Sequence, residues 1–281
     1  MIDLHMHSVF SDGSKTPEEL VEEGVAIGLK AMALTDHDTV GGVPRFLEAA
    51  AKAGMPVLTG VEVSADVEKG TLHVLGYGVD PKNRTLIEHL RWIREGRDER
   101  NREILHKLNR LGMRISHEEL KQYAGADAVG RPHIARALIA KGYVRDKRDA
   151  FDRLLAKGKP AYAERRRLLP EATMELIRTA GGLPVIAHPF TLKLSMKEFT
   201  EFARRLQAAG LAGIECYYSE HSPEMQRKFK SAAEELGLLA TGGSDYHGEL
   251  SPGIRMGRGT GPLSVPDSVW DEILAAAGRN S

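Results

Sequence analysis

Short apolar segments alternate with amphipathic stretches along most of this chain, and this alternation constrains the fold more than any other feature. Each apolar segment is bounded by turn residues, which is typical of strand–helix units built around a parallel sheet. Seven strands are predicted, at residues 2–7, 31–35, 56–60, 71–76, 183–187, 213–217 and 238–241. Seven strands in 281 residues suit a barrel better than an open sheet, so we expect an α/β barrel.

The alternation stops between residues 81 and 169, where the sequence is charged and helical. A structureless loop of that length would be improbable inside a compact domain. We therefore expect a helical insertion at residues 81–169 that caps a barrel formed by residues 1–80 and 170–281. Helix starts are also marked, because Thr16, Ser116 and Ser195 are each followed three residues later by a glutamate, the pattern of a capping box.

The charge of the chain is balanced overall but concentrated in one segment. The 39 Lys and Arg residues equal the 39 Asp and Glu residues, so the whole chain has no net attraction to nucleic acid or anionic membrane. Between Arg131 and Leu169, however, twelve basic residues accompany four acidic ones, which gives +8 in this segment and −8 elsewhere. Such a run is usually a solvated helix face, but beside an active site it would attract a polyanionic substrate.

Several classes of protein are excluded by the composition of the chain. Apolar runs such as 238–241 are far too short to cross a bilayer, and residues 1–5 lack the basic and apolar regions of a secretory signal. We therefore expect a cytoplasmic protein without membrane association or an obligate protein partner. The single cysteine, Cys216, allows neither an intramolecular disulfide nor a four-cysteine zinc site, so any metal must be bound by histidines and carboxylates.

Metal-competent residues recur at or just after the C-terminal ends of the predicted strands. In an α/β barrel these ends meet on one face, where catalytic groups gather. A single histidine at a strand end is more often a surface residue, but independent accidents do not explain nine such residues. The candidate ligands, which could hold two or three divalent ions, are His5, His7, Asp12, His37, Glu62, His73, His188, Asp245 and His247.

Other titratable residues are interpreted differently. His89, His106 and His117 lie in the charged insertion at helical spacings and are expected to face solvent. Asp36 and Asp38 flank His37, and two roles stay open for them, because an aspartate after a strand can cap a helix or support a neighbouring metal ligand.

These motifs resemble, in order and residue type, those of the PHP (polymerase and histidinol phosphatase) superfamily. The matching segments read D-L-H-M-H-S at 3–8 with D-G at 12–13, T-D-H-D at 35–38, G-V-E at 60–62, A-H-P at 187–189 and G-S-D-Y-H at 243–247. The insertion with G-R-P-H-I-A-R at 130–136, and Y-Y-S-E-H-S at 217–222, are similar to the stand-alone bacterial PHP phosphoesterases. That branch includes nucleoside 3′,5′-bisphosphate phosphatases, 5′-nucleotide phosphatases and a 5′-to-3′ exonuclease acting on short RNA.

The resemblance implies a distorted seven-stranded (βα)7 barrel with a trinuclear metal site. One ion would be bound by His5, His7 and Asp245. A second would be bound by His73 and His188, with Glu62 as a catalytic carboxylate that bridges these two ions. A third would be bound by Asp12, His37 and His247. Imidazole and carboxylate ligands suit Mn²⁺, Fe²⁺ or Zn²⁺.

The resemblance also implies a hydrolase that acts on a phosphoric monoester. The expected substrate is a small nucleotide, either a 3′,5′-nucleoside bisphosphate or a 5′-mononucleotide, attacked directly by a metal-bridging water. Arg131 and His133 are expected to bind a substrate phosphate, because a guanidinium matches two phosphate oxygens at once. His221 is expected to bind phosphate or to protonate the leaving oxygen.

Three other functions stay open. A histidinol phosphate phosphatase would call for an acidic group in the pocket, and none stands out in the insertion. A 5′-to-3′ exonuclease on short RNA would use the same site with a longer groove, although the insertion has few aromatic residues for base stacking. A non-catalytic metal-binding module is disfavoured by the nine intact ligand positions.

Overall fold

The computed structural model describes residues 1–122, 130–261 and 263–278. Within these ranges the strands form two sheets. A parallel pair contains β1 (Met32–Ala33) and β2 (Val57–Leu58). The second sheet has five strands in chain order, namely β3 (Gly60–Ala65), β4 (Leu72–Tyr77), β5 (Leu183–Ile186), β6 (Gly213–Tyr218) and β7 (Leu239–Gly243). The predicted α/β class is confirmed, whereas a closed seven-stranded barrel is not shown.

The sheet is mixed, which differs from the predicted parallel arrangement. β4 is antiparallel to both of its neighbours, β3 and β5, so the parallel neighbouring pairs of this sheet are β5–β6 and β6–β7. The prediction missed β3 and placed Glu62 after a strand, whereas Glu62 lies inside one. Its sequence, G-V-E-V-S-A, alternates apolar and polar residues, and the polar side chains are buried towards the candidate ligands.

The prediction of a strand at residues 2–7 is wrong. This segment joins its neighbours only through isolated bridges from Asp3 to Met32 and from Met6 to Tyr246. Side chains take up part of its backbone hydrogen bonding, because the N–H of His5 donates to Asp3 and that of Met6 donates to Thr35. A continuous ladder of backbone bonds therefore does not form.

The helices begin where the sequence predicts them. The capping boxes at Thr16, Ser116 and Ser195 are all present. The α-helices of the described residues are α1 (Pro17–Ala26), α2 (Val43–Ala53), α3 (Arg84–Arg110), α4 (His117–Lys121), α5 (Arg131–Ala140), α6 (Lys147–Ala150), α7 (Pro170–Thr179), α8 (Met196–Ala208), α9 (Pro223–Leu236) and α10 (Ser268–Ala277). None of the helices in the described ranges has both the length and the apolar character to span a membrane.

The chain forms two compact units, each with a hydrophobic core. The first unit, here called the sheet unit, contains Met1–Leu90 and Leu168–Ser281, and the second, the helical unit, contains Arg91–Arg167. In the sheet unit, Leu4, Leu75, Val185 and Ile273 pack in one cluster, while Met6, Leu20, Met32 and Phe46 pack in another. The core of the helical unit includes Ile104, Leu108, Ile134, Leu138 and Leu155.

Candidate metal centre

All nine predicted ligands, Glu62 among them, lie in the sheet unit, and their donor atoms form one connected cluster. Three overlapping groups each have donor atoms within 4.8 Å of one another. They consist of His7, Asp12, His37 and His247, of His5, His7, Glu62 and Asp245, and of His37, Glu62 and His73. His188 joins them through Glu62, since its Nε2 lies 2.8 Å from Glu62 Oε1.

Glu62 presents each carboxylate oxygen to a different set of imidazoles. Its side chain is fully buried. Oε1 lies 2.9 Å from His73 Nδ1 and 2.8 Å from His188 Nε2. Oε2 lies between 3.0 and 3.3 Å from ring nitrogens of His37, His7 and His5. One carboxylate therefore stands between two groups of ligands, as expected of a residue that bridges two ions.

Strand register explains how β3 and β4 contribute to this centre. Ser64 is directly opposite His73 in the antiparallel pair. Side chains two residues apart on a strand share a face, so Glu62, Ser64 and His73 all point the same way. His37 follows β1 and reaches Glu62 through an isolated bridge between the two backbones.

The backbone is strained at three positions of the centre. Asp38, His188 and Asp245 have φ values of 54°, 28° and 57°. Left-handed conformations of residues other than glycine cost about 1–3 kcal/mol each and cluster at functional sites. Each of the three backbone N–H groups donates a hydrogen bond of 2.6 to 2.8 Å, to Glu62 O, Glu215 Oε2 and His5 O respectively. Contacts among the residues of the centre therefore hold these turns.

Asp36 and Asp38 hold loops of the centre and cap no helix. Asp36 accepts hydrogen bonds of 2.7 Å from Ser8 N, Ser8 Oγ and Ser11 Oγ, which fixes the loop between His7 and Asp12. Asp38 accepts from the N–H and the hydroxyl of Ser64. The helix that follows, α2, begins at Gly42 without a side-chain cap.

Three further residues that support the ligands were missed by the sequence prediction. Asp3 accepts from Ser244 N at 2.9 Å and Gly257 N at 2.7 Å, and so holds the chain that leads to Asp245. Tyr218 donates to Asp245 Oδ2 at 2.8 Å. Glu215 lies fully buried within β6. A glutamate inside an apolar strand is the sequence signal that could have identified it, because glutamate is almost never fully buried unless it is paired.

The carboxylates and imidazoles of the centre shift the pKa values of one another. Burial alone would lower the pKa of His7, but the nearby carboxylates of Asp245 and Glu62 outweigh burial and raise it to about 10. Burial alone would raise the pKa of Glu62, but the surrounding imidazoles, His37 first, hold it well below its usual range. Burial lowers the pKa of His73 to about 4, although Glu62 acts in the opposite direction.

The donor set fits divalent metal ions. Among the described residues, His7 Nε2, Asp12 Oδ1, His37 Nδ1 and Asp245 Oδ1 are buried atoms that lack a hydrogen-bond partner. A buried polar atom without a partner costs about 1–3 kcal/mol, and coordination to an ion would remove that cost. The donors are imidazole nitrogens and carboxylate oxygens, which suit Mn²⁺, Fe²⁺ or Zn²⁺. The thiol of Cys216 is not among these donors, because it donates a hydrogen bond to Ile214 O.

His221 is held in its neutral form. Its side chain is buried, and the ring packs against Phe190 and Phe229. Nδ1 lies 2.9 Å from the carbonyl oxygen of Cys216, which assigns the proton to Nδ1. Burial lowers the pKa of the ring. Nε2 is buried and lacks a hydrogen-bond partner among the described residues, so it is an available acceptor.

Arg131 and His133 lie in the helical unit, at the start of α5. The Arg131 guanidinium donates to Leu155 O at 3.3 Å and lies 5.8 Å from the ring centroids of Phe151 and Tyr162. His133 Nδ1 accepts a hydrogen bond from Gly130 N. Of the histidines expected in solvent, His106 is exposed, whereas His89 and His117 are half-buried.

A cluster of arginines lies around Arg100 in the same unit. Only 6% of the Arg100 surface is exposed, and its guanidinium donates to Asn101 Oδ1. Burial, together with the repulsion of Arg165, Arg131, Arg97 and Arg167, lowers the pKa of Arg100 to about 8. The sequence analysis singled out the basic residues between Arg131 and Leu169, as a solvated helix face or a means of attracting a polyanion, and gave no sign that Arg100, outside that segment, is buried.

Comparison with known proteins identifies relatives along nearly the full chain. Residues 3–250 match the family model of the PHP domain. A 3′,5′-nucleoside bisphosphate phosphatase of Chromobacterium violaceum is 36% identical over 275 residues, which cover 98% of this chain and 96% of that protein. A 5′-3′ exoribonuclease of Haemophilus influenzae is 32% identical over 274 residues, which cover 96% of this chain and 98% of that protein.

A solved structure shows the same fold. It is described as a metal-dependent phosphoesterase from Bifidobacterium adolescentis and superposes with a TM-score of 0.79 at 31% sequence identity. The match covers 98% of this chain and 95% of the other. The fold is thus shared over nearly the whole length of the two chains.

Proposed function

This chain belongs to the PHP domain family, and from that premise we propose that it is a metal-dependent phosphoesterase that removes a phosphate from a small nucleotide. The proposed substrate is a 3′,5′-nucleoside bisphosphate or a 5′-mononucleotide. The observation that carries the proposal is the clustering of nine imidazole and carboxylate residues, Glu62 among them, with several buried donor atoms that have no hydrogen-bond partner among the described residues. A non-catalytic module would not need a carboxylate between two groups of ligands.

Two of the three groups of close donor atoms support the ligand allocation that we propose, and His73 and His188 are assigned to the same ion because both lie within 2.9 Å of Glu62 Oε1. His5, His7 and Asp245 would hold one ion, and His73 and His188 a second, with Glu62 shared between them. Asp12, His37 and His247 would hold a third. Mn²⁺, Fe²⁺ or Zn²⁺ bound there would polarise the phosphoryl oxygens and lower the pKa of a bound water.

The protein groups have separate tasks in this proposal. Glu62 keeps two sets of imidazoles at a fixed separation through its two oxygens. Binding of phosphate by His221, or protonation of the leaving oxygen, needs a proton on Nε2, and burial opposes the doubly protonated ring. A phosphate bound nearby would favour that proton, because an opposite charge stabilises the charged form of a histidine.

The helical unit contains basic residues that can bind an anion. We propose that Arg131 and His133 bind a phosphate, as a planar guanidinium can bind two of its oxygens. The π faces of Phe151 and Tyr162 hold the Arg131 guanidinium, so little side-chain entropy is lost on binding. The cluster around Arg100 carries charge that an anion would offset.

A second candidate function is 5′-to-3′ exonuclease activity on short RNA. The relative from H. influenzae with that name supports it, because the similarity extends over nearly the whole of both chains. The same metal centre would serve both reactions, but the phosphatase would hydrolyse a phosphomonoester and release inorganic phosphate, whereas the exonuclease would hydrolyse a phosphodiester and release a mononucleotide.

Substrate preference of the purified, metal-loaded protein tests the proposal. The substrates are a nucleoside 3′,5′-bisphosphate, a 5′-mononucleotide, histidinol phosphate and a 5′-phosphorylated oligonucleotide. We expect the highest kcat/KM for the bisphosphate, with inorganic phosphate as a product. Stepwise release of mononucleotides from the oligonucleotide at a higher kcat/KM would favour the exonuclease. Absence of hydrolysis of all four by fully loaded protein would refute a phosphoesterase of these substrates.

A further inference from the structure

Glu215 contacts two candidate metal ligands at the same time. Its Oε1 lies 2.8 Å from His5 Nδ1, and its Oε2 accepts the backbone N–H of His188 at 2.6 Å. The side chains of Glu215 and His5 are both completely buried. Removal of a carboxylate from water is costly unless hydrogen bonds compensate it, so a glutamate at this position needs both contacts.

The contact with His5 determines which ring nitrogen is available to an ion. A carboxylate accepts hydrogen bonds, so Glu215 favours a proton on His5 Nδ1. Nε2 then carries the lone pair that can bind a metal ion, and it lies 3.3 Å from both Glu62 Oε2 and Asp245 Oδ1. Metal-binding histidines in general donate their second N–H to a carboxylate or carbonyl, which fixes the tautomer and the orientation of the ring.

The contact with His188 holds a strained turn. His188 has φ 28° and ψ 62°, a conformation that residues with a side chain rarely adopt. The bond from His188 N to Glu215 Oε2 fixes the peptide at the end of β5, directly before the short 3₁₀ helix Pro189–Leu192. Loss of this bond would let the turn relax and would move the imidazole away from Glu62.

A β-bulge in β6 places Tyr218 beside a third candidate ligand, Asp245. The register of β6 against β7 shifts between Glu215 and Tyr217, so Cys216 is an extra residue in the strand. Strict alternation would place Tyr218 on the face opposite to Glu215. The shift returns Tyr218 to the Glu215 face, where it donates to Asp245 Oδ2.

We propose that Glu215 is a positioning residue that sets the geometry of two metal ligands through its two oxygens, the ring of His5 and the backbone of His188. The inference rests on the proposed metal centre. The substitution Glu215→Gln should break one of these two hydrogen bonds, because the glutamine amide has one acceptor oxygen and one donor nitrogen where the carboxylate has two acceptor oxygens. The amide can satisfy only one of the two N–H groups that the carboxylate satisfies.

Metal affinity tests this role without reference to catalysis. Zn²⁺ is titrated into metal-free wild type and Glu215→Gln in competition with a chromophoric chelator. We expect Glu215→Gln to bind at least one equivalent of Zn²⁺ about 10- to 100-fold more weakly, the usual effect of removing a partner of a metal ligand. The matched control is Glu220→Gln, the same chemical change at an exposed position five residues further on, which should leave the affinity unchanged.

A spectroscopic signature separates positioning from a purely structural role. In the Zn²⁺-loaded wild type, the His5 Nδ1–H should give a low-field proton resonance that disappears in His5→Gln and shifts in Glu215→Gln. This measurement on the wild type remains decisive even if Glu215→Gln does not fold. A proton on Nε2 of His5 in the loaded wild type would overturn the proposal.

The possible failures can be told apart. A Glu215→Gln protein that is less stable to urea but binds Zn²⁺ within threefold of wild type would show a structural role only and overturn the positioning role. A wild type that binds no Zn²⁺ would overturn the metal centre and this inference with it.

Discussion

Replacement of Asp36 should destabilise the sheet unit by about 4 kcal/mol, although Asp36 is not a proposed ligand. Its carboxylate accepts three hydrogen bonds of 2.7 Å from the loop that connects His7 to Asp12. Asp36→Ala leaves the buried N–H of Ser8 without an acceptor, which costs about 1–3 kcal/mol, and removes two hydroxyl bonds of about 1 kcal/mol each.

The conservative variant Asp36→Asn should cost less, since the oxygen of its side-chain amide can still accept from Ser8 N and Ser11 Oγ. The Ser8 hydroxyl can rotate to accept from the new amide, so that only the charge is lost. We expect about 1–2 kcal/mol for this variant. An exposed aspartate in α10 provides the control, because Asp271→Ala should change stability by less than about 0.5 kcal/mol.

Urea unfolding of the metal-free protein, followed by tryptophan fluorescence, measures these differences. The chain has two tryptophans, and Trp92 lies in the helical unit while Trp270 lies in the sheet unit with Asp36. All variants are therefore made in a Trp92→Phe background, so that fluorescence reports the sheet unit alone. Free energies come from linear extrapolation to zero urea. An Asp36→Ala loss below about 1 kcal/mol, or one equal to that of Asp271→Ala, would refute the assignment of Asp36 as the residue that holds the loop.

Four further predictions concern the metal centre and the basic residues. Exhaustive chelation should abolish phosphate release and Mn²⁺ should restore it, so full activity of a chelated, metal-free protein would contradict the centre. Glu62→Gln should lower kcat at least about 10²-fold, with far-ultraviolet circular dichroism unchanged, because two groups of ligands lose their shared carboxylate; an active variant with full metal content would show that Glu62 does not bridge. Arg131→Ala should lower kcat/KM about 10²-fold, equivalent to about 3 kcal/mol, and Arg131→Lys should recover only part of it, whereas Arg148→Ala, which removes an exposed charge in the same unit, should have little effect. Because the pKa of His7 is raised to about 10 in the metal-free protein, Zn²⁺ must displace a proton from His7 at pH 7, so the affinity should rise with pH up to that pKa. Calorimetry in buffers of different ionisation enthalpy would detect the released protons, and a heat that does not depend on the buffer would exclude the exchange.

The clustering of the candidate ligands could be predicted because their positions are marked in local sequence. His5 and His7 are two residues apart, Asp36 and Asp38 flank His37, and Asp245 precedes His247 by two residues. The starts of helices could also be predicted from local sequence, since Thr16 and Ser195 each form a capping box with the glutamate three residues later. The structure brings all nine ligand residues together in one unit.

The features that escaped prediction depend on contacts between distant segments. β3 and β4 are antiparallel because of a connection that turns back, which the strand pattern alone does not specify. The role of Glu215 depends on residues 210 positions away in sequence, at His5, and 27 positions away, at His188. The burial of Arg100 depends on the packing of the helical unit, and helical periodicity in a charged segment gave no sign of it.

We expect this molecule to open most easily at the left-handed turns of Asp38, His188 and Asp245. Each of these residues has an unfavourable backbone conformation, and its peptide N–H donates one short hydrogen bond that stabilises the turn. Amide hydrogen exchange in the metal-free protein should therefore be faster at these three peptides than in the strands that precede them. Bound metal ions would slow amide hydrogen exchange at these turns, with little effect on exchange in the packed helices. The protein would then reach its full rigidity only when it is loaded, so metal supply would govern its lifetime as well as its chemistry.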